Sequence, residues 1–170
     1  LKNLGAKVTG ISLPNRAEES FFKANGISEL VEDINLDIRN FDSINTLIKK
    51  LEPDFVFHLA AQALVRRSYR EPLETWSTNL VGTLNILDSL RLIEKKCACI
   101  LITSDKCYEN KEWAWGYREN DILGGPDPYS ASKACAELAI NSYVKSFFND
   151  KQNSLVKIVS ARAGNVIGGG

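Results

Sequence analysis

Cys97-Ala98-Cys99-Ile100-Leu101-Ile102-Thr103 (C-A-C-I-L-I-T) is apolar at almost every position and ends abruptly on Ser104-Asp105-Lys106. A strand with one face in water alternates polar and apolar residues. An unbroken apolar run belongs to a strand covered on both faces, the usual state of a parallel sheet. The flanking segments agree. Upstream, Glu74–Leu92 sets Trp76, Leu80, Leu84, Leu87 and Arg91 at helical spacing, and downstream Tyr129–Phe148 is helical in pattern.

Further out, Asp54–Leu59 (D-F-V-F-H-L) is a second strand expected to be buried on both faces. Before it, Ile44, Leu47, Ile48 and Leu51 follow the i, i+3, i+4, i+7 pattern of an amphipathic helix that stops near Pro53. Leu155–Ala161 reads as a strand. Ala6–Ile11, after the helix-stopping Gly5, and Ile34–Ile38 add two short ones. Strands alternating with helices predict an α/β fold, a doubly wound parallel sheet with helices on both faces. The 170 residues fit one domain, 1–170.

Composition narrows the function classes. Hydrophobic residues make up 44% of the chain, a globular share, and 21 basic residues balance 21 acidic ones. A pI near 6.8 gives no electrostatic reason to expect nucleic acid or a membrane surface as partner. No apolar run approaches the ~20 residues of a membrane span. Cys97, Cys99, Cys107 and Cys135 have only His58 for company, so no metal site is expected. Packed, reduced thiols are expected instead, in a cytoplasmic setting. The chain has no methionine, opens on Leu1-Lys2-Asn3-Leu4-Gly5 like the end of a helix, and closes on Gly168-Gly169-Gly170 where a loop begins. It reads as an internal piece of a longer protein.

Ligands of doubly wound sheets bind beyond the carboxyl ends of the strands. Those ends read Asp37-Ile38-Arg39, His58-Leu59-Ala60-Ala61-Gln62, Thr103-Ser104-Asp105-Lys106 and Arg162-Ala163-Gly164-Asn165. Small and polar residues collect there four times, which marks the edge as a site.

Tyr129 and Lys133 stand at i and i+4 of the long helix and project from one face. A phenol with a pKa of about 10 is a poor base near neutrality, and a neighbouring ammonium lowers that value. Such pairs are common on helix surfaces, so the spacing alone says little. Ser104, Asp105 and Lys106 at a strand end add a hydrogen-bond donor, an acid and an amine; taken alone, they also fit a solvated turn with a local ion pair.

Ser104 with Tyr129 and Lys133 resembles the Ser/Thr–Tyr–Lys triad of the extended short-chain dehydrogenase/reductase family, sugar-nucleotide-modifying enzymes on a Rossmann fold. Thr103–Asp121 (T-S-D-K-C-Y-E-N-K-E-W-A-W-G-Y-R-E-N-D), Asp127–Leu138 (D-P-Y-S-A-S-K-A-C-A-E-L) and Ser160–Gly170 (S-A-R-A-G-N-V-I-G-G-G) resemble the CDP-glucose branch of its 4,6-dehydratases. Many dehydratases of the family carry Asp-Glu after the Ser/Thr, whereas this chain has Asp105-Lys106. Epimerases usually lack such a pair there. The likeness is least distinctive over residues 12–35.

The resemblance implies a lyase with NAD as cofactor and a nucleotide sugar as substrate. Tyr129 takes the 4-hydroxyl proton as hydride leaves C4, Ser104 hydrogen-bonds that oxygen, and Lys133 keeps Tyr129 ionised. Lys106 removes the C5 proton and Asp105 protonates the departing 6-hydroxyl. As a base, Lys106 needs a pKa well below its usual value of about 10.4. The resemblance also implies that Asp37 and Ile38 contact adenine, that Ala60, Ala61 and Gln62 lie along ribose and phosphates, and that Thr103 stands beside the nicotinamide ribose. Arg162 and Asn165 match positions near the substrate, with a structural ion pair as the other reading of Arg162. Asn79 and His58 read as structural. Trp113, Trp115 and Tyr117 fit a core or a substrate-side loop equally.

Family likeness further implies deoxysugar synthesis for surface polysaccharide and a homo-oligomer, dimer or tetramer, paired through the helices of Trp76 and Tyr129. The family's first strand with its Gly-rich phosphate loop and its C-terminal substrate domain are not in the sequence, so the chain alone is expected to bind NAD weakly at best and not to turn over. Ser12 stands where NAD enzymes often carry an acid, and suits either dinucleotide. An epimerase or another nucleotide-sugar dehydratase, and a non-catalytic Rossmann binding protein, remain as alternatives.

Overall fold

The computed structural model describes residues 1–14, 21–149 and 154–167. The closing glycines, expected to open a loop, lie outside the described residues. Two compact units are present: Leu1–Asp37 with Ile167–Gly170, and Ile38–Val166.

In the first unit, β1 (Thr9–Ser12) pairs in parallel with β2 (Glu32–Asn35). Two one-turn helices, α1 (Phe21–Ala24) and α2 (Ile27–Leu30), form the connection. Gly5 adopts φ 84°, and its N–H bonds the Lys2 carbonyl, so the helix stop read in the sequence is real. The second expected strand, Ile34–Ile38, instead runs Glu32–Asn35, which leaves Asp37 beyond its end.

The second unit is a three-stranded parallel sheet in the order β3 (Phe55–His58), β4 (Cys97–Ile102), β5 (Val156–Ala161). Its helices are α3 (Phe41–Leu51), α4 (Val65–Arg70), α5 (Pro72–Trp76), α6 (Gly82–Leu90) and α7 (Pro128–Phe147). Asn40 starts α3 by accepting from Ser43 N at 3.1 Å, and Ile44, Leu47 and Ile48 are buried where α3 packs on α6. Ile86, Leu87 and Leu90 of α6 and Cys97, Cys99 and Leu101 of β4 complete the core. Burial pushes the Cys99 thiol up to about 12, so it stays protonated.

Two expectations are corrected. Glu74–Leu92 is not one regular helix: a π-helical turn at Ser77–Val81 joins α5 to α6. The turn rotates Asn79 inward, where its Oδ1 accepts from Gln62 N at 2.8 Å and its Nδ2 donates to Gln62 O at 3.1 Å and Ser132 Oγ at 2.9 Å. These bonds to buried partners outweigh regular helix geometry. Secondly, β3 is covered on one face only. His58 is buried, while Phe55 is 68% and Phe57 43% exposed. An apolar run reports what the residues seek, whereas burial depends on which element lies over them.

Asp127 caps α7, its Oδ1 accepting from Ser130 N at 3.0 Å and its Oδ2 from Ser130 Oγ at 2.7 Å. Gly125 passes so close to this first turn that a Cβ would stand 2.3 Å from Ser130 Cβ and 2.9 Å from its carbonyl carbon. The obstruction is Ser130 Cβ and the backbone beside it, neither of which can rotate away, so Gly125→Ala should cost about 1–3 kcal/mol of stability, read as a lower urea midpoint at unchanged m-value. A variant as stable as the parent would show that the loop retreats freely.

Candidate active site

Parallel pairing carries three of the four noted strand ends to one edge of the second sheet. The fourth, around Asp37, follows β2. Asp37 is half-buried and Ile38 fully so, with the Ile38 carbonyl accepting from Asn85 Nδ2 at 2.9 Å.

After β3, Ala60 and Ala61 are half-buried and Gln62 buried. Gln62 fixes this loop: besides its backbone pairing with Asn79, its Nε2 donates to Thr75 Oγ1 at 2.8 Å and its Oε1 accepts from Leu64 N at 2.7 Å. His58 holds Thr83 Oγ1 at 3.1 Å, and Thr83 Oγ1 donates to the Asn79 carbonyl.

After β4, Ser104 caps a 3-10 turn, Asp105–Cys107. Its Oγ accepts from Lys106 N at 3.2 Å and donates to Asp105 Oδ1 at 3.1 Å. Lys106 Nζ donates to Asp105 Oδ1 at 3.3 Å and to Asn165 Oδ1 at 3.2 Å. Asp105 N donates to Ala163 O at 3.0 Å, which lays the segment after β5 beside the turn. Ser104, Asp105, Lys106 and Asn165 therefore form one cluster, packed against α7. Engaging another oxygen requires Ser104 to exchange its bond to Asp105.

On α7, Tyr129 and Lys133 are 8% and 7% exposed. The Lys133 ammonium has one acceptor among the described residues, the Ile102 carbonyl at 3.4 Å, and the Tyr129 hydroxyl has none. Burial pushes the Lys133 pKa down, and the Glu137 carboxylate pulls against that shift. A buried ammonium with open donors beside an open phenol is unfilled hydrogen-bonding capacity.

A cavity of about 1010 Å³ lies along the cluster, lined by Asp105, Lys106, Tyr108, Tyr117, Ser130 and Arg162 among others. Tyr129 and Lys133 are not among its walls. Arg162 is held by Glu137 Oε2 at 2.9 Å, Tyr108 Oη at 2.9 Å and Glu119 O at 2.9 Å. Burial would lower its pKa, but the bonds to Glu137 and Tyr108 overcome this and raise it. Thr103, buried, donates to Glu137 Oε1 at 2.5 Å. Trp113 is half-buried and Trp115 exposed, stacked at 5.2 Å between centroids.

Two residues with prominent places in this geometry, Glu137 and Tyr108, carry no assignment from the sequence. Glu137 had one signal: a carboxylate four residues after Lys133, on the same face, within an otherwise apolar A-C-A-E-L-A-I run.

Burial depresses the His58 pKa from 6.5 to about 4, with the Lys133 charge adding to it. The imidazole is neutral in the fold and protonates on unfolding, so the unfolded state binds more protons below pH 6.5. Stability should fall as the pH drops from 6.5 and level off below about 4, a loss of about 3 kcal/mol. Urea midpoints across that window should flatten in His58→Asn. An equally steep His58→Asn profile would assign the slope to other groups.

The parallel α/β fold with its polar carboxyl edge defines a Rossmann-type chain. It belongs to the GDP-mannose 4,6 dehydratase family, whose family model matches residues 6–156. The chain is 46% identical over 172 residues to the CDP-glucose 4,6-dehydratase of Salmonella typhimurium, covering 100% of this chain and 48% of that protein. It is 30% identical to the CDP-paratose 2-epimerase of Salmonella typhi over 131 residues, 68% of this chain and 39% of that one. The chain thus spans about half the length, or less, of these curated relatives. Among solved structures, UDP-glucose 4-epimerase from Thermotoga maritima superposes with a TM-score of 0.77 at 21% identity, over 94% of this chain and 48% of that one. The dTDP-glucose 4,6-dehydratase of Streptomyces venezuelae gives 0.74 at 21% identity, over 91% and 45%. Both share the fold. No helix among the described residues is long and apolar enough to cross a membrane, and no three His, Cys, Asp or Glu side chains among them cluster as a metal site.

Proposed function

We propose that the chain, residues 1–170 acting as one domain, is the NAD-binding part of a CDP-glucose 4,6-dehydratase. The reaction converts CDP-D-glucose to CDP-4-dehydro-6-deoxy-D-glucose. The observation that carries this reading is the Ser104-Asp105-Lys106 turn at the end of β4, packed against the helix of Tyr129 and Lys133. Support comes from the family match and from the 46% identity to a CDP-glucose 4,6-dehydratase.

The residues present fit a dinucleotide. Lys133 and Tyr129 offer open donors suited to ribose hydroxyls, and the small Ala60 and Ala61 permit close approach to the β3 end. On this reading Asp37 and Ile38 border the adenine, Ala60, Ala61 and Gln62 follow ribose and phosphates, and Thr103 stands by the nicotinamide ribose. When bound, NAD accepts a hydride from C4 and returns it to C6.

The chain's own groups move the protons. Tyr129, as phenolate, takes the 4-hydroxyl proton, and Lys133 stabilises that phenolate through its positive charge. Ser104 turns from Asp105 to donate to the C4 oxygen. The resulting ketone acidifies C5–H, Lys106 removes that proton, Asp105 protonates the departing 6-hydroxyl, and Lys106 gives the proton back to C5 as the hydride reaches C6. Arg162 and Asn165 border the substrate. The enzyme is read as a cytoplasmic homo-oligomer serving deoxysugar synthesis.

The test uses the complete reading frame, incubated with CDP-glucose and a trace of NAD. A product lighter by one water supports the dehydratase. An unchanged mass with altered sugar stereochemistry makes it an epimerase, and no reaction despite bound NAD makes it a binding protein.

A further inference from the structure

Glu137 is a buried carboxylate, 5% exposed, to which the proposed mechanism gives no part. Three groups converge on it. Thr103 Oγ1 donates to Oε1, while Ser160 Oγ at 3.2 Å and Arg162 Nη2 at 2.9 Å donate to Oε2. Thr103 is the residue before Ser104 at the end of β4, and Ser160 and Arg162 flank the end of β5. One side chain of α7 thus ties both strand ends to the helix that bears Tyr129 and Lys133, eight and four residues earlier on the same face.

The connection continues outward. Arg162 passes from Glu137 to Tyr108 Oη and the Glu119 carbonyl, and its guanidinium lies 4.9 Å from the Tyr108 ring centroid. Tyr108 stacks on Tyr117 at 5.1 Å, Tyr117 meets Trp113 at 5.3 Å, and Trp113 stacks on Trp115. Tyr108 directly follows the Asp105–Cys107 turn. The Glu137–Arg162 pair therefore holds both ends of the segment that presents Ser104, Asp105 and Lys106.

We propose that Glu137 is a positioning residue: through Thr103 and Arg162 it fixes Ser104 and the Asp105-Lys106 turn against the Tyr129–Lys133 face and latches the aromatic loop 108–117 over the cavity. The catalytic consequence rests on the dehydratase reading; the latch does not. Burying an Arg–Glu pair is costly, and removing one partner strands the other, so stability alone does not explain the arrangement.

Two variants of the complete enzyme separate charge from reach. Glu137→Gln keeps the shape and removes the charge, whereas Glu137→Asp keeps the charge and shortens the arm. Glu137→Gln should lower kcat about tenfold with KM little changed, the expected effect of a small displacement of reacting groups. Its alkaline limb should move to lower pH, because Lys133 loses the carboxylate that sustains its charge while His58 from β3 still faces it. Glu137→Asp should lose rate but keep the limb. In a Trp76→Phe, Trp115→Phe background, fluorescence reports the half-buried Trp113 alone, and Glu137→Gln should raise its acrylamide quenching about twofold.

Parent-like kcat, pH limb and quenching in Glu137→Gln would overturn the proposal. Should Glu137→Gln fail to fold, Tyr108→Phe cuts only the outer bond from Arg162. Raised quenching there supports the latch, and parent-like quenching overturns it. If the parent dehydrates no nucleotide sugar, the functional reading falls, while the quenching still decides for or against the latch.

Discussion

On the proposed mechanism, Tyr129→Phe in the complete protein should lower kcat on CDP-glucose by roughly 10²–10⁴-fold, the usual contribution of a positioned acid or base. The substitution removes one oxygen and nothing else. That oxygen has no hydrogen-bond partner among the described residues, so its loss strands no buried group. Stability should shift by no more than the ~1 kcal/mol of a typical hydrogen bond. Turnover at saturating substrate, measured beside the melting temperature, therefore separates chemistry from folding. A kcat within a few-fold of the parent would remove Tyr129 from the proton path, whatever the product.

Lys106→Ala should cause a loss of similar size, roughly 10²–10⁴-fold, but at a different step. In the proposed mechanism oxidation at C4 uses Tyr129, Lys133 and Ser104, so reduced cofactor should form once and persist, with no water lost from the sugar. Solvent deuterium should no longer enter C5. Lys106→Arg is the sharper variant: the guanidinium keeps the charge beside Asp105 and Asn165 but does not deprotonate in proteins. Failure of Lys106→Arg to restore water loss fits a base. Restoration would mean that Lys106 acts only as a positive charge, and the base would have to be another group.

Much of the fold was legible along the chain. The unbroken apolar run at Cys97–Thr103 and the spaced Ile44, Leu47 and Ile48 appear as β4 and α3 within a residue or two of their expected bounds. Local chemistry decides such segments: which residues avoid water, and at what period. The Ser77–Val81 π turn was not legible, because what holds it, Gln62 and Ser132, lies 17 and 53 residues from Asn79. The exposed face of β3 escaped for the same reason, since no pattern in Phe55–His58 records which element covers it.

The site divides along the same line. Ser104, Asp105 and Lys106 are neighbours in sequence and pair locally in the fold. Tyr129 and Lys133 share a helix face by spacing alone. Glu137, by contrast, draws its meaning from Thr103, Ser160 and Arg162, which reach it from two strands. The sequence by itself placed Ser104, Asp105 and Lys106 together after one strand and Tyr129 and Lys133 on one face of one helix, because such placements depend on residue type and on repeats of a few residues. Only the tertiary structure decided which distant groups satisfy one another, since a buried polar atom takes whatever partner the parallel sheet brings within about 3 Å, and that distance carries no memory of separation along the chain.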